Sequence, residues 1–318
     1  MKDWMRIAGI TSSEITDEQT FKRRRALMQA ATAAGITGFI GSDAMADELG
    51  PITKWPDSTD DAQTAEEIAT TYNNFYELGT DKGDPVKNAD KLVTEPWTVV
   101  VDGECDAPGT FTLEDILKPH AIEERIYRLR CVEAWSMVIP WNGFALADLI
   151  KRFKPNSNAK FVSFQTLNDP NLPGMKSRVL DWPYREGLRI DEAMHPLSFM
   201  AVGMYGKVIP GQNGAPMRLV VPWKYGYKSI KSIVRISFTD KQPQTSWNMS
   251  APHEYGFYSN VNPDVSHPRW SQAKERRLAG ETSGLSALFT KKIDSQFMNG
   301  YGEEVAELYA DMDLKKFF

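Results

Sequence analysis

The chain reads RLRCVEAWSMVIPW over residues 128–141, and this stretch carries the strongest indication of its fold. Residues 126–131 alternate between apolar and polar side chains, a pattern that predicts a β-strand. In an extended strand successive side chains point to opposite faces, so Leu129, Cys131 and Glu133 would share one face and the two arginines of the segment the other. The stretch therefore predicts a strand that brings a thiol and a carboxyl to the same place.

Cys131 admits several interpretations. Nearby guanidinium groups stabilise a thiolate, which is the form that binds a metal or attacks an electrophile. On residue type alone, a lone cysteine in an apolar strand is most often a small buried hydrophobic side chain. A disulfide with Cys105, the second of the two cysteines, is a further option in an oxidising compartment. Cys105 itself lies between Glu104 and Asp106, and these acids predict a poor thiolate.

Glu133 is a candidate proton donor, because it lies two residues beyond Cys131 and an extended chain would turn both side chains to one side. Partial burial should raise the pKa of this carboxyl, whereas Arg128 and Arg130 should lower it, and the sequence does not decide which effect is larger. The alternative is a salt bridge between Glu133 and one of those arginines, which would only stiffen the segment.

Composition and missing motifs argue against several classes of function. The 318 residues are 42% hydrophobic and 25% charged, as in folded soluble proteins. A net charge of −5 argues against nucleic acid as the main partner. The four histidines form no His-x-x-x-His pair, which argues against a zinc hydrolase. The sequence also contains neither a Gly-x-Ser-x-Gly elbow of serine hydrolases nor a Gly-x-Gly-x-x-Gly turn of dinucleotide-binding sheets.

The remaining patterns predict an α+β fold, in which strands alternate irregularly with short helices and long loops. Thr112 is a suitable N-cap for a short helix that ends near Pro119, and residues 144–153 have helical spacing. Residues 168–175, 209–216 and 241–268 predict long loops, where sites are often built. Further strands are predicted at 97–102, 160–167, 217–223 and 233–238.

A second constellation joins a Gly/Pro/Asn loop at residues 210–216 to nearby cations. Backbone amides of such a loop, together with Arg218 and Lys231, would make a good phosphate cradle. The same pattern is also that of an ordinary loop before a strand, with its lysines in water. The residues alone leave both interpretations open.

Residues 128–141 closely resemble the molybdenum-binding segment of the periplasmic protein-methionine-sulfoxide reductase catalytic subunits, a family in the sulfite oxidase fold group. The similarity extends from Thr71 to the C-terminus. It implies a sulfite oxidase-type molybdopterin-binding fold, with mixed sheets, short helices and long loops. Besides the cysteine segment, the blocks that resemble the family are residues 71–77, 191–196, 213–231, 254–258 and 267–272.

The resemblance implies a role for each matching position. Cys131 would be the protein's sulfur ligand to molybdenum, alongside one molybdopterin per chain, and soft thiolate ligation suits such a centre. Besides Glu133, Asn74 is a second candidate catalytic residue, because it lies beside the implied pterin contact Asn73 and could orient the substrate or water. Ser229 stands where the family is expected to have glycine, a change that a backbone contact would survive. The implied pterin contacts are Asn73, Tyr76, Glu77, Thr166, Asn213, Arg218, Ser229, Ile230 and Lys231.

The activity implied is the reduction of methionine sulfoxide residues in oxidised periplasmic proteins, as a repair reaction. The chain carries no second cofactor motif such as Cys-x-x-Cys-His, so electrons would come from outside it. The resemblance implies that a membrane-embedded haem-binding subunit supplies them. One alternative is a molybdenum enzyme on the same scaffold that acts on sulfite or on small S- or N-oxides. The other is a non-catalytic periplasmic anion-binding protein that uses the loop at residues 210–231 as an anion pocket.

The N-terminus predicts export. Residues 22–25 are basic, residues 26–42 are uncharged and mildly apolar, and Ala44-Met45-Ala46 fits a small-x-small cleavage site. Residues 1–46 therefore look like a twin-arginine signal peptide, which would send the folded protein to the periplasm. Residues 47–70 are predicted to be an extended arm or short helix, and residues 71–318 the molybdopterin-binding catalytic domain.

Overall fold

The computed structural model describes residues 49–278 and 292–317. The predicted signal peptide, residues 1–46, lies outside the described residues. No helix in the described ranges is long and apolar enough to cross a membrane. The strands are β1 (Ile52–Lys54), β2 (Thr98–Gly103), β3 (Gly109–Thr112), β4 (Ile122–Cys131), β5 (Trp135–Ala145), β6 (Phe161–Thr166), β7 (Arg185–Arg189), β8 (Phe199–Met204), β9 (Lys207–Val208), β10 (Arg218–Val220), β11 (Ile233–Thr239), β12 (Lys274–Arg277) and β13 (Lys292–Asp294).

The helices are short. The α-helices are α1 (Glu66–Thr71), α2 (Asp84–Asn88), α3 (Leu113–Leu117), α4 (Leu146–Phe153), α5 (Ile190–Met194), α6 (Ser246–Ser250) and α7 (Gly302–Val305). Single 3₁₀ turns occur at Ala89–Lys91, Pro173–Lys176, Gly211–Asn213, Gly226–Lys228, Phe297–Gly300 and Ala306–Tyr309.

Two sheets organise the described part of the chain. The larger is built around the antiparallel hairpin of β4 and β5, with β1 parallel to β4 on the outer side. The other edge of β5 is shared: β12 pairs with Trp135 and Ser136, and β8 pairs with Trp141–Ala145. Strands β9 and β10 extend this sheet from β8, and β13 extends it from β12. The smaller sheet has the order β3-β2-β11-β6-β7.

Strand β5 differs most from the sequence-based expectation, which placed no strand there. All of its residues except Ala145 are buried, so it reads as a continuous apolar run without the alternation of a half-exposed strand. Pro140 also lies in its middle, although proline usually argues against a central strand. The predicted helix at 144–153 begins only at Leu146, because the two preceding residues still pair with β8.

Most other predicted elements are confirmed. Strands β2, β4, β6 and β11 lie within two residues of the predicted starts and ends, except that β4 begins four residues early. Thr112 accepts a hydrogen bond from the Asp115 amide and caps α3 as predicted. The strand predicted at 217–223 is shorter, Arg218–Val220. Strand β8, another buried apolar run, was not predicted.

The segment predicted as an arm is built into the fold over its described part. Strand β1 pairs with β4, and the Thr64 hydroxyl donates to the Leu278 carbonyl. Helix α1 then leads into a loop closed by a hydrogen bond from the Asn73 amide to the Lys82 carbonyl, 3.1 Å long. This closure places the loop beside the end of β4.

Candidate functional site

Cys131 ends β4 and pairs directly with Trp135 at the start of β5. The three residues between them form a tight turn, and Ala134 has a φ of 61°. The prediction of an extended chain through Glu133 is therefore wrong, because the chain reverses there. The carboxyl nevertheless lies beside the thiol, with 3.6 Å between Cys131 Sγ and Glu133 Oε2.

The turn is tied to a distant part of the chain. The Val132 carbonyl accepts hydrogen bonds from Trp270 Nε1 at 2.7 Å and from Gln272 Nε2 at 2.8 Å. Arg130, fully buried, pairs with Glu275 at 2.7 Å. These contacts fix the position of the thiol, since both sides of the turn are held by residues 267–277.

Cys131 opens into a cavity of about 470 Å³. The cavity collects nearly all the residues that the sequence singled out from the loop after α1, from the cysteine turn and from the segment 213–231. The exception is Thr166, which does not line it but donates its hydroxyl to the Lys231 carbonyl at 2.8 Å. The predicted residues that line it are Asn73, Asn74, Tyr76, Glu77, Cys131, Glu133, Asn213, Arg218, Ser229, Ile230 and Lys231.

The protein alone does not favour a thiolate at Cys131. Burial, reinforced by the Glu133 carboxylate, raises the pKa of the Cys131 thiol to about 12. Of the two arginines expected to stabilise the thiolate, Arg130 does lower the pKa of Cys131, but burial outweighs it, and the two guanidinium groups pair with Asp61 and Glu275. A bound metal ion deprotonates a coordinating thiol outright, so it would supply the missing positive charge. Both cysteines are free, which rules out the disulfide with Cys105.

Glu133 does form a salt bridge, but its partner is Lys82 and not an arginine. Its Oε2 lies 2.6 Å from Lys82 Nζ and accepts further hydrogen bonds from Asn74 Nδ2 and Trp135 Nε1, both at 3.0 Å. Burial alone would raise the pKa of Glu133, yet these donors together hold it below the usual value. Lys82 was missed by sequence reasoning, because only the closed loop after α1 brings it here.

Arg218 forms a cationic wall of the cavity. Its guanidinium donates to the carbonyls of Asn213, Leu219 and Ser229, and it meets no carboxylate within the described ranges. The side chain is buried, and burial lowers the pKa of Arg218 to about 9. A buried cation without a counter-ion is costly, and a guanidinium is well suited to a phosphate.

Lys231 adds a second cation to this wall. Burial and the neighbouring Arg218 lower the pKa of Lys231, while Glu77 opposes that shift; burial raises the pKa of Glu77. The Glu77 carboxylate thus acts on Lys231, while Arg218 keeps no carboxylate partner in the described part of the chain. Gly214 supports Lys231 closely, with a φ of +105°, and a Cβ placed there would lie 2.7 Å from Lys231 Cβ.

Several buried polar atoms of the cavity residues lack partners, as expected for a site that holds a polar heterocycle. Asn73 and Asn213 both donate to the Ala69 carbonyl at 2.9 Å, which leaves their Oδ1 atoms unpaired, and Trp141 Nε1 is also unpaired. Ser229 has an ordinary φ of −86°, so the departure from glycine costs no strain. These groups fit a pterin with its phosphate.

The cavity's remaining walls are aromatic. Tyr76 packs edge-on against Trp247 at 5.3 Å, and Trp247 lies 4.9 Å from Tyr255. Trp270 stacks on His267 with a centroid distance of 3.8 Å. Of these residues, Trp247 escaped sequence reasoning altogether, since a tryptophan in a long polar loop gives no local indication of a site.

The fold and this site define a molybdopterin-binding oxidoreductase. The family model described as the oxidoreductase molybdopterin binding domain matches residues 84–247. The chain is 55% identical over 319 aligned residues to the protein-methionine-sulfoxide reductase catalytic subunit MsrP of Xanthomonas axonopodis pv. citri, covering 98% of each chain. It is 53% identical to MsrP of Burkholderia mallei, covering 97% of this chain and 96% of that one. The chain belongs to the family of MsrP catalytic subunits.

Family membership confirms the resemblance, the sulfite oxidase-type α+β fold and the enzymatic nature of the chain, and it excludes the non-catalytic anion-binding alternative. Among solved structures, the sulfane dehydrogenase SoxCD from Paracoccus pantotrophus is similar with a TM-score of 0.47 and 15% identity. The match covers 76% of this chain and 64% of that one.

Proposed function

We propose that this chain reduces methionine sulfoxide residues in oxidised periplasmic proteins, at a molybdenum centre carried by one molybdopterin. The observation that carries the proposal is that one cavity is lined both by the Cys131 thiol and by the buried Arg218 guanidinium, which lacks a counter-ion in the described part of the chain. The names of the relatives support the substrate, since MsrP proteins are named protein-methionine-sulfoxide reductases.

Each part of the cofactor has a matching set of groups. Cys131 would ligate the metal, and Arg218 and Lys231 would pair with the pterin phosphate. The unpaired oxygens of Asn73 and Asn213 would accept hydrogen bonds from the ring. The proposed contacts from the adjoining cavity wall are Tyr76, Glu77, Ser229 and Ile230, with Thr166 acting through the Lys231 backbone. When bound, the centre supplies two-electron chemistry that removes the sulfoxide oxygen, which leaves as water after taking up two protons.

The chain's own residues position the substrate. Rings at the cavity wall suit the methyl–sulfur end of the methionine side chain, because sulfur packs favourably against aromatic edges. Asn74 Nδ2 lies 3.5 Å from Cys131 Sγ, where it can donate a hydrogen bond to the reacting atoms. Glu133 accepts hydrogen bonds from Lys82, Asn74 and Trp135. As the acceptor for Asn74 Nδ2, it helps to keep the Asn74 amide in this orientation.

The decisive experiment compares substrates on protein purified from a host that makes molybdopterin. We expect about one molybdenum and one pterin per chain, and oxidation of a reduced viologen dye on addition of a protein that contains methionine sulfoxide. Dye reduction by sulfite, or turnover only of small S- or N-oxides, would favour the alternative enzyme. Purified protein without metal would contradict the cofactor assignment.

Export and electron supply form the remaining part of the proposal. Residues 1–46 would direct the folded chain to the periplasm, and a membrane-embedded haem-binding subunit would supply electrons. The words "catalytic subunit" in the relatives' names support the existence of a partner. Changing Arg24 and Arg25 to lysine should retain the protein in the cytoplasm. Detergent extracts should yield the chain together with a haem-absorbing membrane protein; the chain alone would contradict this pairing.

A further inference from the structure

Lys82 touches both side chains that stand next to the Cys131 sulfur. Its Nζ lies 2.6 Å from Glu133 Oε2 and 2.5 Å from Asn74 Oδ1. It is the one cation that meets the Glu133 carboxylate within the described ranges, and at 24% side-chain exposure it is largely shielded from water. Lys82 does not itself line the cavity, so any influence on the sulfur passes through these two neighbours.

The first influence is on the orientation of the Asn74 amide. An ammonium group can only donate hydrogen bonds, so the amide oxygen must face Lys82. The amide nitrogen then faces the other way, where it donates to Glu133 Oε2 at 3.0 Å and lies 3.5 Å from Cys131 Sγ. No other described group donates to Asn74 Oδ1. Without Lys82, the hydrogen bond to Glu133 would be the remaining described contact that holds the amide in this orientation.

The second influence is on charge. The Glu133 carboxylate lies 3.6 Å from the sulfur, and Lys82 is the positive charge that offsets it. Hydrogen bonds to a ligating sulfur and charges nearby set the reduction potential of a metal centre. A donor on the sulfur and a compensated carboxylate both favour the reduced state, because reduction adds negative charge.

We propose that Lys82 is a positioning residue that raises the reduction potential of the metal centre bound through Cys131, by holding the Asn74 amide on the sulfur and offsetting Glu133. The inference rests on the proposed ligation of molybdenum by Cys131. It gives the chain a means of matching the centre to an external electron donor.

The test is an EPR-monitored redox titration of the molybdenum-loaded protein. Lys82→Met should lower the midpoint potential and shift the thiolate-to-molybdenum absorption to longer wavelength, at unchanged molybdenum content and melting temperature. Lys87→Met is the matched control, since Lys87 is 73% exposed and lies 3.9 Å from its nearest carboxylate. Potentials that agree among wild type, Lys82→Met and Lys87→Met would overturn the inference.

A double variant separates charge from orientation. Lys82→Met combined with Glu133→Gln leaves no uncompensated carboxylate, so its potential should lie above that of Lys82→Met alone; an equally low potential would overturn the charge argument. If Lys82→Met loads poorly, Lys82→Gln and Lys82→Arg replace it, and only Lys82→Arg should keep the wild-type values. Wild-type protein without molybdenum would contradict the proposed function. If the wild type carries molybdenum and Lys82→Met has the same midpoint potential, only the present inference is contradicted.

Discussion

The guanidinium carbon of Arg218 lies 4.8 Å from the centre of the Trp141 ring, so a cation from β10 rests on an aromatic side chain from β5. The ring and three backbone carbonyls are the partners that the described part of the chain gives this buried charge. Cation–π contacts and carbonyl dipoles stabilise a guanidinium but do not neutralise it. The arrangement keeps Arg218 in place with its charge available to an anion.

Arg218→Ala should lower the cofactor content of the purified protein more than the turnover per molybdenum atom. A charge-assisted contact to phosphate contributes about 1.5–3 kcal/mol, so cofactor retention should weaken roughly 10- to 150-fold. Molybdenum and pterin are measured per chain after dialysis. Arg235→Ala, which removes an exposed cation paired with Asp102, is the control and should load normally. Full loading of Arg218→Ala would contradict the phosphate contact.

Cys131→Ser should yield a folded protein with little molybdenum-linked activity. Serine keeps the shape of the turn but offers a hard, protonated oxygen in place of a soft sulfur ligand. Circular dichroism, metal content and dye-linked turnover test this together. Cys105→Ser serves as the comparison, because that thiol is also free and buried but lies outside the cavity. Equal activity in both variants would remove Cys131 from the site.

Gly214→Ala should destabilise the protein and loosen the cofactor, while Gly206→Ala should only destabilise it. Both glycines have positive φ, +105° and +76°, so alanine costs about 1–2 kcal/mol of backbone strain at either position. Only at Gly214 would the new Cβ meet Lys231, whereas open space surrounds the one at Gly206. Urea unfolding and molybdenum content separate the two effects. Identical cofactor loss in both variants would argue that the close packing of Gly214 against Lys231 has no role in holding the cofactor.

His120 should make the protein less stable as the pH falls. Its ring stacks on Phe144 at 4.1 Å with an unpaired buried Nε2, and burial, reinforced by Arg152, lowers its pKa. The unfolded chain, with a histidine pKa of about 6.5, then binds more protons than the folded chain just below that pH. The free energy of unfolding therefore falls as pH drops through about 6.5 toward the folded pKa.

His120→Phe should flatten that part of the stability profile, because phenylalanine keeps the stack but cannot take up a proton. Urea midpoints at pH 7.5, 6.5 and 5.5 measure the slope. His253→Gln, a change at a side chain that is 75% exposed, should leave the slope unchanged. A wild-type slope in His120→Phe would assign the pH dependence to other groups.

Local patterns predicted the elements that have one exposed face. The alternation before Cys131 and the cap at Thr112 are local physics, and both are confirmed. Strands β5 and β8 are buried on both faces, so alternation has no cause there, and only pairing across the sheet reveals them.

The candidate site divides in the same way. The resemblance indicated most of the residues that line the cavity. Three features of the surroundings of Cys131, however, follow only from the folded structure. Its arginines turn away, the chain reverses at Ala134, and Lys82 reaches Glu133 through a closed loop. The sequence alone could not decide the direction of the shift in the pKa of Glu133, because the cation that pairs with it, Lys82, lies 51 positions earlier in the chain.

The bonds from Trp270 and Gln272 to the Val132 carbonyl constrain the biosynthesis of this protein. The cysteine turn is synthesised about 140 residues before its anchors, as the sequence separations of 138 and 140 show. While the ribosome is still translating the intervening residues, the turn lacks the hydrogen bonds from Trp270 and Gln272, and we expect it to bind the cofactor weakly. The fully supported turn therefore requires synthesis of the chain as far as residue 272, so we expect stable loading of the cofactor to come late. We expect a chain cut short before residue 270 to hold the cofactor poorly, because its cysteine turn would lack both anchors.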